Sequence, residues 1–180
     1  MARTSRIAPP SCRLGCEQLE ARDNPAGNVI AVFSGFDFFV IGDANPNDFV
    51  VTMDGASRIT VTGRNGTTVN GQASVTFQPF IPNNVSIRGM EGNDTIQVAG
   101  LFATNIIAIT AGDENDAIFV SNSQAPVIGI DAQGGNDTVG LFGVAAPYAL
   151  IVFGGTGFDT LSNVGSATNF PFILDFERIN

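Results

Sequence analysis

Lysine, histidine and tryptophan do not occur in this 180-residue chain, tyrosine occurs once, and the only cysteines, Cys12 and Cys16, lie close together near the N-terminus. Each absence closes off a class of chemistry. Two thiols in one short segment cannot make a disulfide framework or a zinc quartet. Without lysine or histidine the chain has no ready general base of the kind that acid–base work on anionic sugars calls for. No stretch reaches the roughly 18 consecutive apolar residues of a membrane-spanning helix, which argues against membrane insertion. Residues 1–27 also lack the apolar run of about 7–15 positions that marks an ordinary secretory signal.

Positive charge is scarce as well. All 8 basic residues are Arg, and four of them precede Asp23. From Asp23 onward 15 acidic side chains face only Arg58, Arg64, Arg88 and Arg178, a balance of −11 within a total of −9. Such a surface repels polyanions, which argues against nucleic acid and anionic membrane as partners, and it attracts cations.

What is plentiful is turn and strand material. The 21 Gly and 9 Pro are interspersed with Asn, Thr, Val and Ile, a mixture that suits short strands and frequent turns and predicts an all-β chain. Residues 1–27 mix Arg, Pro and small residues without alternation and end at Asn24-Pro25-Ala26-Gly27, so they read as a disordered leader or linker. From Asn28 onward, runs at 29–33, 38–41 and 59–62 alternate with Gly, Asn and Asp clusters as strands do with turns. Phe33, Phe36, Phe38 and Phe39 form an aromatic-rich patch that reads as core near the start of the fold.

A repeat then takes over. Segments 89–97, 111–119, 132–140 and 154–162 align on Asp94, Asp116, Asp137 and Asp159, with spacings of 22, 21 and 22. Nine and seven residues before each Asp stand Val85 and Ile87, Ile107 and Ile109, Ile128 and Ile130, Leu150 and Val152. Two and four residues after come Ile96 and Val98, Ile118 and Val120, Val139 and Leu141, and in the fourth copy Leu161 followed by Asn163. The period of two within each pair places its members on one strand face.

A constant long period with strand-type flanks is the pattern of a solenoid. The expectation is a right-handed parallel β-helix, a β-solenoid of about 21–22 residues per coil, spanning 28–180 in six or seven coils with the Asp turns on one edge. Asp48 reads as a degenerate copy of the repeat Asp, and the coil around 65–75 carries none. Phe172 and Leu174 read as the first strand of a fifth coil, an apolar C-terminal edge that invites self-association or a longer solenoid.

Gly154-Gly155-Thr156-Gly157-Phe158-Asp159-Thr160-Leu161 resembles the haemolysin-type, or RTX, calcium-binding nonapeptide G-G-x-G-x-D-x-U-x at every specified position. The other copies are partial: Met90 replaces the second Gly, Glu114 the last Gly of its copy, and Ala132 and Gln133 the first two of theirs. The family strings nonapeptides in tandem, whereas here one appears per coil. Leu14, Glu17, Leu19-Glu20, Arg22 and Pro25-Ala26 resemble the LEPR-type N-terminal segment of exported planctomycete surface proteins. Together the resemblances imply calcium as the cofactor and an extracellular or cell-surface location.

The residue types suit that ion, because calcium takes six to eight hard oxygens at about 2.3–2.6 Å from carboxylates, carbonyls and water. The candidate metal residues are Gly92, Asn93 and Asp94 in the first copy and Asp113, Asn115 and Asp116 in the second. The third copy supplies Gly135, Asn136 and Asp137, and the fourth Gly155, Gly157 and Asp159. Carboxylates on rungs about 4.8 Å apart repel by roughly 3–4 kcal/mol at an effective dielectric of 20, and a cation between them would reverse the sign. The Asn-Asp pairs also fit metal-free turns in which both side chains bond local backbone.

Three functions follow. The leading one is a non-catalytic, extracellular calcium-binding solenoid with a structural or surface role. A metal-free adhesion or scaffold solenoid is the alternative. A β-helix polysaccharide lyase or hydrolase ranks lowest, because the repeats offer only Arg88 as a base and only Asp113 with Asp116 as a carboxylate pair.

Overall fold

The computed structural model describes residues 27–179. The leader, its LEPR-type resemblance and both cysteines lie outside the described residues. Within them the chain forms strands only. It opens with β1 (Asn28–Ser34), β2 (Asp37–Ile41), β3 (Asp48–Met53), β4 (Ile59–Gly63), β5 (Thr68–Val69) and β6 (Ser74–Thr76). The first repeat rung follows as β7 (Asn84–Met90) and β8 (Thr95–Ala99), and the second as β9 (Ile106–Asp113) and β10 (Ala117–Ser121). The third holds β11 (Val127–Gly134), β12 (Thr138–Phe142) and β13 (Ala145–Ala146). The fourth holds β14 (Ala149–Phe153), β15 (Thr160–Val164) and β16 (Ala167–Thr168), and a partial rung closes with β17 (Pro171–Leu174) and β18 (Arg178–Ile179).

The strands stack into two eight-stranded sheets, ordered β17-β14-β11-β9-β7-β2-β1-β5 and β18-β15-β12-β10-β8-β3-β4-β6, with β13 and β16 forming a short third face. From β2 and β3 onward every neighbour is parallel, which makes a β-solenoid of about 4 turns of roughly 22 residues. The columns named from spacing lie in register. Val85, Ile107, Ile128 and Leu150 are successive partners, as are Ile96, Ile118, Val139 and Leu161. All eight are at most 1% exposed, so each rung places its apolar pairs directly on those below.

Six or seven coils are not found, because the N-terminal third folds back on itself. β1 pairs antiparallel with β2, β3 with β4, and β4 with β6. The cause is local. Gly35-Phe36 closes β1 onto β2 as a two-residue hairpin, and the Asp54 carboxylate accepts the N–H groups of Ala56 and Arg58 to close β3 onto β4. A parallel neighbour needs a full circuit of chain first, and short turns pre-empt it. Phe33, Phe38, Phe77 and Phe80 pack there at ring separations of 4.7–5.6 Å; Phe38 is fully buried, whereas Phe36 remains 66% exposed.

Two registers differ from expectation by one residue. Thr95 pairs with Asp48 and Ile96 with Phe49, so Asn47, not Asp48, occupies the repeat position, and Asp48 instead meets Arg64 at 3.2 Å. At the other end Val152 pairs with Ile173, which turns Pro171 and Ile173 toward the core line and leaves Phe172 and Leu174 outward, 56% and 44% exposed. Asn163 lies under Leu141 with a buried Oδ1 that has no partner, which marks where the apolar column ends.

Candidate cation-binding edge

Each repeat turn joins the two long strands of its rung, and two of its backbone positions are left-handed in all four copies. The first is Met90, Gly112, Gln133 and Gly155, with φ between 73° and 136°; the second is Gly92, Glu114, Gly135 and Gly157, with φ between 75° and 141°. Met90, Glu114 and Gln133 hold this shape without glycine, at roughly 1–2 kcal/mol each. The stack therefore imposes one turn shape on all four copies. At Gly112 no side chain fits at all, since a Cβ would lie 1.5 Å from the Met90 carbonyl oxygen.

That shape turns the four repeat aspartates inward. Asp94, Asp116, Asp137 and Asp159 are at most 3% exposed, and their Oδ1 atoms form a ladder. Asp94 Oδ1 accepts the N–H of Asn47, Asp116 Oδ1 that of Asp94, Asp137 Oδ1 that of Asp116 and Asp159 Oδ1 that of Asp137, all at 2.7–2.8 Å. Glu177 ends the series, its Oε2 accepting from Asp159 N at 2.6 Å. The asparagines run a second ladder the opposite way on the exposed side: Asn93 Oδ1 accepts from Asn115 N, Asn115 Oδ1 from Asn136 N, and Asn136 Oδ1 from Phe158 N. Both sets of bonds cross between rungs, so the expectation of local Asx turns is corrected. The 21–22-residue period makes the chain's own neighbour the partner.

The second oxygen of each aspartate tells a different story. Oδ2 of Asp94, Asp116, Asp137 and Asp159 is buried and has no hydrogen-bond partner. Asn47, which holds the same ladder position one rung earlier, shows what surrounds such an atom. Its Nδ2 donates to the carbonyl oxygens of Asn45 at 2.7 Å, Asp43 at 3.1 Å and Gly89 at 3.4 Å. A Cβ on Gly42 would touch both Asn47 Nδ2 at 2.6 Å and the Gly89 carbonyl at 2.3 Å. On Gly89, the equivalent residue of the next rung, it would meet Asp94 Oδ2 at 2.1 Å and the Ala111 carbonyl at 2.4 Å. On Gly154 it would meet Asp159 Oδ2 at 2.9 Å and the Asp175 carbonyl at 2.0 Å. Where Asn47 places a donor near a carbonyl, Asp94 and Asp159 place an acceptor.

An acceptor facing acceptors in a dry setting disfavours the charged form. Burial raises Asp94 to about 6, helped by Asp43 and Glu114 and opposed by the Asn47 bonds. It raises Asp116 to about 7, with the charges of Asp94, Asp137 and Glu114 adding to it, and Asp137 to about 6, with Asp159 adding. Arg58 and Arg64 pair with Asp54 and Asp48 rather than with these carboxylates, whose Oδ2 atoms accept no hydrogen bond. A proton or a metal cation can supply the positive charge that a buried carboxylate column favours.

Calcium fits the donor chemistry, since carboxylate and carbonyl oxygens are its ligands. The fit is to a mixed set: among the described residues no three His, Cys, Asp or Glu side chains gather around one point, so any ion here relies on turn carbonyls as well as aspartates. Of the residues singled out by sequence, the four aspartates share the buried column and Gly92, Gly135, Gly155 and Gly157 shape its turns. Asn93, Asn115 and Asn136 lie on the exposed ladder, and Asp113 is exposed at the end of β9, away from the column. Sequence reasoning missed Asn47 and Glu177. Phe49 and Val51 stand two and four residues after Asn47, and Ile179 two after Glu177, which is the same spacing that marks the repeat aspartates.

The chain matches no family model, no curated protein and no solved structure.

Proposed function

We propose that this chain is a non-catalytic β-solenoid that binds calcium along its aspartate edge and serves a structural or surface role outside the cell. The observation that carries the reading is the column of four buried, unpartnered Oδ2 atoms, those of Asp94 and Asp159 close to backbone carbonyls. Asp94, Asp116, Asp137 and Asp159, with turn carbonyls, would hold the ions, and a bound ion would offset the charge of the buried carboxylates. Weak sites of about 10⁻⁴–10⁻³ M suit an extracellular setting, where calcium is plentiful. A structural role is supported by burial, because carboxylates at most 3% exposed are out of reach of a polymer substrate.

A metal-free scaffold is the second reading. It is favoured by the ladder bonds through Oδ1, which are complete without an ion. Calorimetric titration of the full chain with calcium at neutral pH separates the two. Saturable binding that falls in stoichiometry in Asp116→Asn supports the calcium reading, and absence of binding up to 10 mM or so ends it.

A further inference from the structure

The six ladder positions carry Asn47, Asp94, Asp116, Asp137, Asp159 and Glu177 in chain order, each accepting from or donating to its neighbour through the backbone N–H. Only Asn47 brings its own donor to the carbonyls beside it. Its amide orientation is forced, since the opposite flip would aim an oxygen at the carbonyls of Asp43, Asn45 and Gly89. The side chain is 1% exposed, so water does not substitute for those contacts. Asn47 Nδ2 also lies 3.3 Å from Asp94 Oδ1, so four oxygens from two rungs surround one nitrogen.

We propose that the Asn47 amide is a built-in substitute for a cation, which ends the row of ion sites at the N-terminal rung, and that Asn47→Asp adds one calcium site to the edge. The inference rests on the calcium reading of the aspartates. Replacing Nδ2 by an oxygen removes the side-chain donor and leaves one carboxylate oxygen among three carbonyls and Asp94 Oδ1, which still accepts the backbone N–H of residue 47. That is a hard-oxygen set of the kind calcium takes, with water completing it. The converse follows from the same geometry. An amide placed in a later rung, as in Asp116→Asn, donates where an ion would otherwise bind.

The test is calcium titration by calorimetry on the full chain, wild type against Asn47→Asp and Asp116→Asn, with thermal unfolding in chelator and in millimolar calcium. Asn47→Asp is expected to bind one ion more than wild type, to melt a few degrees lower in chelator and to regain that loss in calcium. A folded Asn47→Asp that binds the wild-type number of ions overturns the proposal while leaving the calcium reading intact. If Asn47→Asp does not fold even in calcium, Asp116→Asn decides. One ion fewer with a chelator melting temperature at or above wild type supports amide-for-cation exchange, and an unchanged ion count or a lower chelator melting temperature overturns it. A wild-type chain that binds no calcium overturns the reading on which the proposal stands, and the proposal with it.

Discussion

At its N-terminal end the stack is finished by antiparallel strands, a cluster of phenylalanines and the Asn47 amide, whereas at its C-terminal end β17 and β18 lie parallel with their outer groups open. The edge ladder differs in the same sense. It begins on a neutral side chain that donates to its surroundings and finishes on the Glu177 carboxylate, which only accepts. The contrast teaches that a solenoid rung is self-consistent only in its middle. An end needs either hairpins that satisfy one sheet edge after another or a partner strand.

The largest effect is expected at the closed end. Phe38→Ala removes a fully buried ring that packs on Phe33 and Phe77, and should destabilise the fold by about 3–5 kcal/mol in urea unfolding. Phe172→Ala at the open end removes a ring 56% exposed and should stay within about 0.5 kcal/mol. Equal losses at the two positions break the comparison.

Acidification is next in size. Asp94, Asp116 and Asp137 hold protons more tightly folded than unfolded, their values rising from 3.8 to about 6, 7 and 6. Between about pH 4 and pH 7 the native chain therefore binds more protons than the unfolded chain, so in the absence of divalent cations stability falls as pH rises through that window. Melting temperatures in chelator should be higher near pH 4.5 than at pH 8, and the reverse order would remove the aspartate edge from the account. A single amide should have a smaller effect of the same kind. Asp137→Asn keeps the Oδ1 bond to Asp116 N and gives the second atom a donor, as Asn47 has, so it should gain about 1–3 kcal/mol in chelator.

The middle of the fold was legible because its columns repeat: Ile107, Ile128 and Leu150 announce themselves by position and type, and the structure stacks them. The ends were not, because their determinants are local. The Asp54 turn and the Gly35-Phe36 hairpin override the long period, and nothing in a 22-residue spacing foretells them. At Asn47-Asp48 residue type misled: the acidic residue seemed to be the repeat aspartate, although the inward pair Phe49 and Val51 sets the register from Asn47. The aspartate column was visible in the spacing of Asp94 to Asp159, but its burial was not. Only the positive φ at Met90, Glu114 and Gln133 shows how turns that have lost glycines still carry the carboxylates inward.

The most direct measurement is thermal unfolding of the wild-type chain at pH 7.5, first in chelator and then in 10 mM calcium, with 10 mM magnesium as the control. For a site with a dissociation constant of about 10⁻⁴ M, that calcium concentration stabilises the folded state by roughly 2.7 kcal/mol per ion. Occupied aspartate rungs therefore raise the melting temperature by many degrees, and magnesium by far fewer. A melting temperature that is the same in calcium as in chelator, or lower, contradicts the account, since four buried carboxylates would then hold their charge or their protons without any use for the ion.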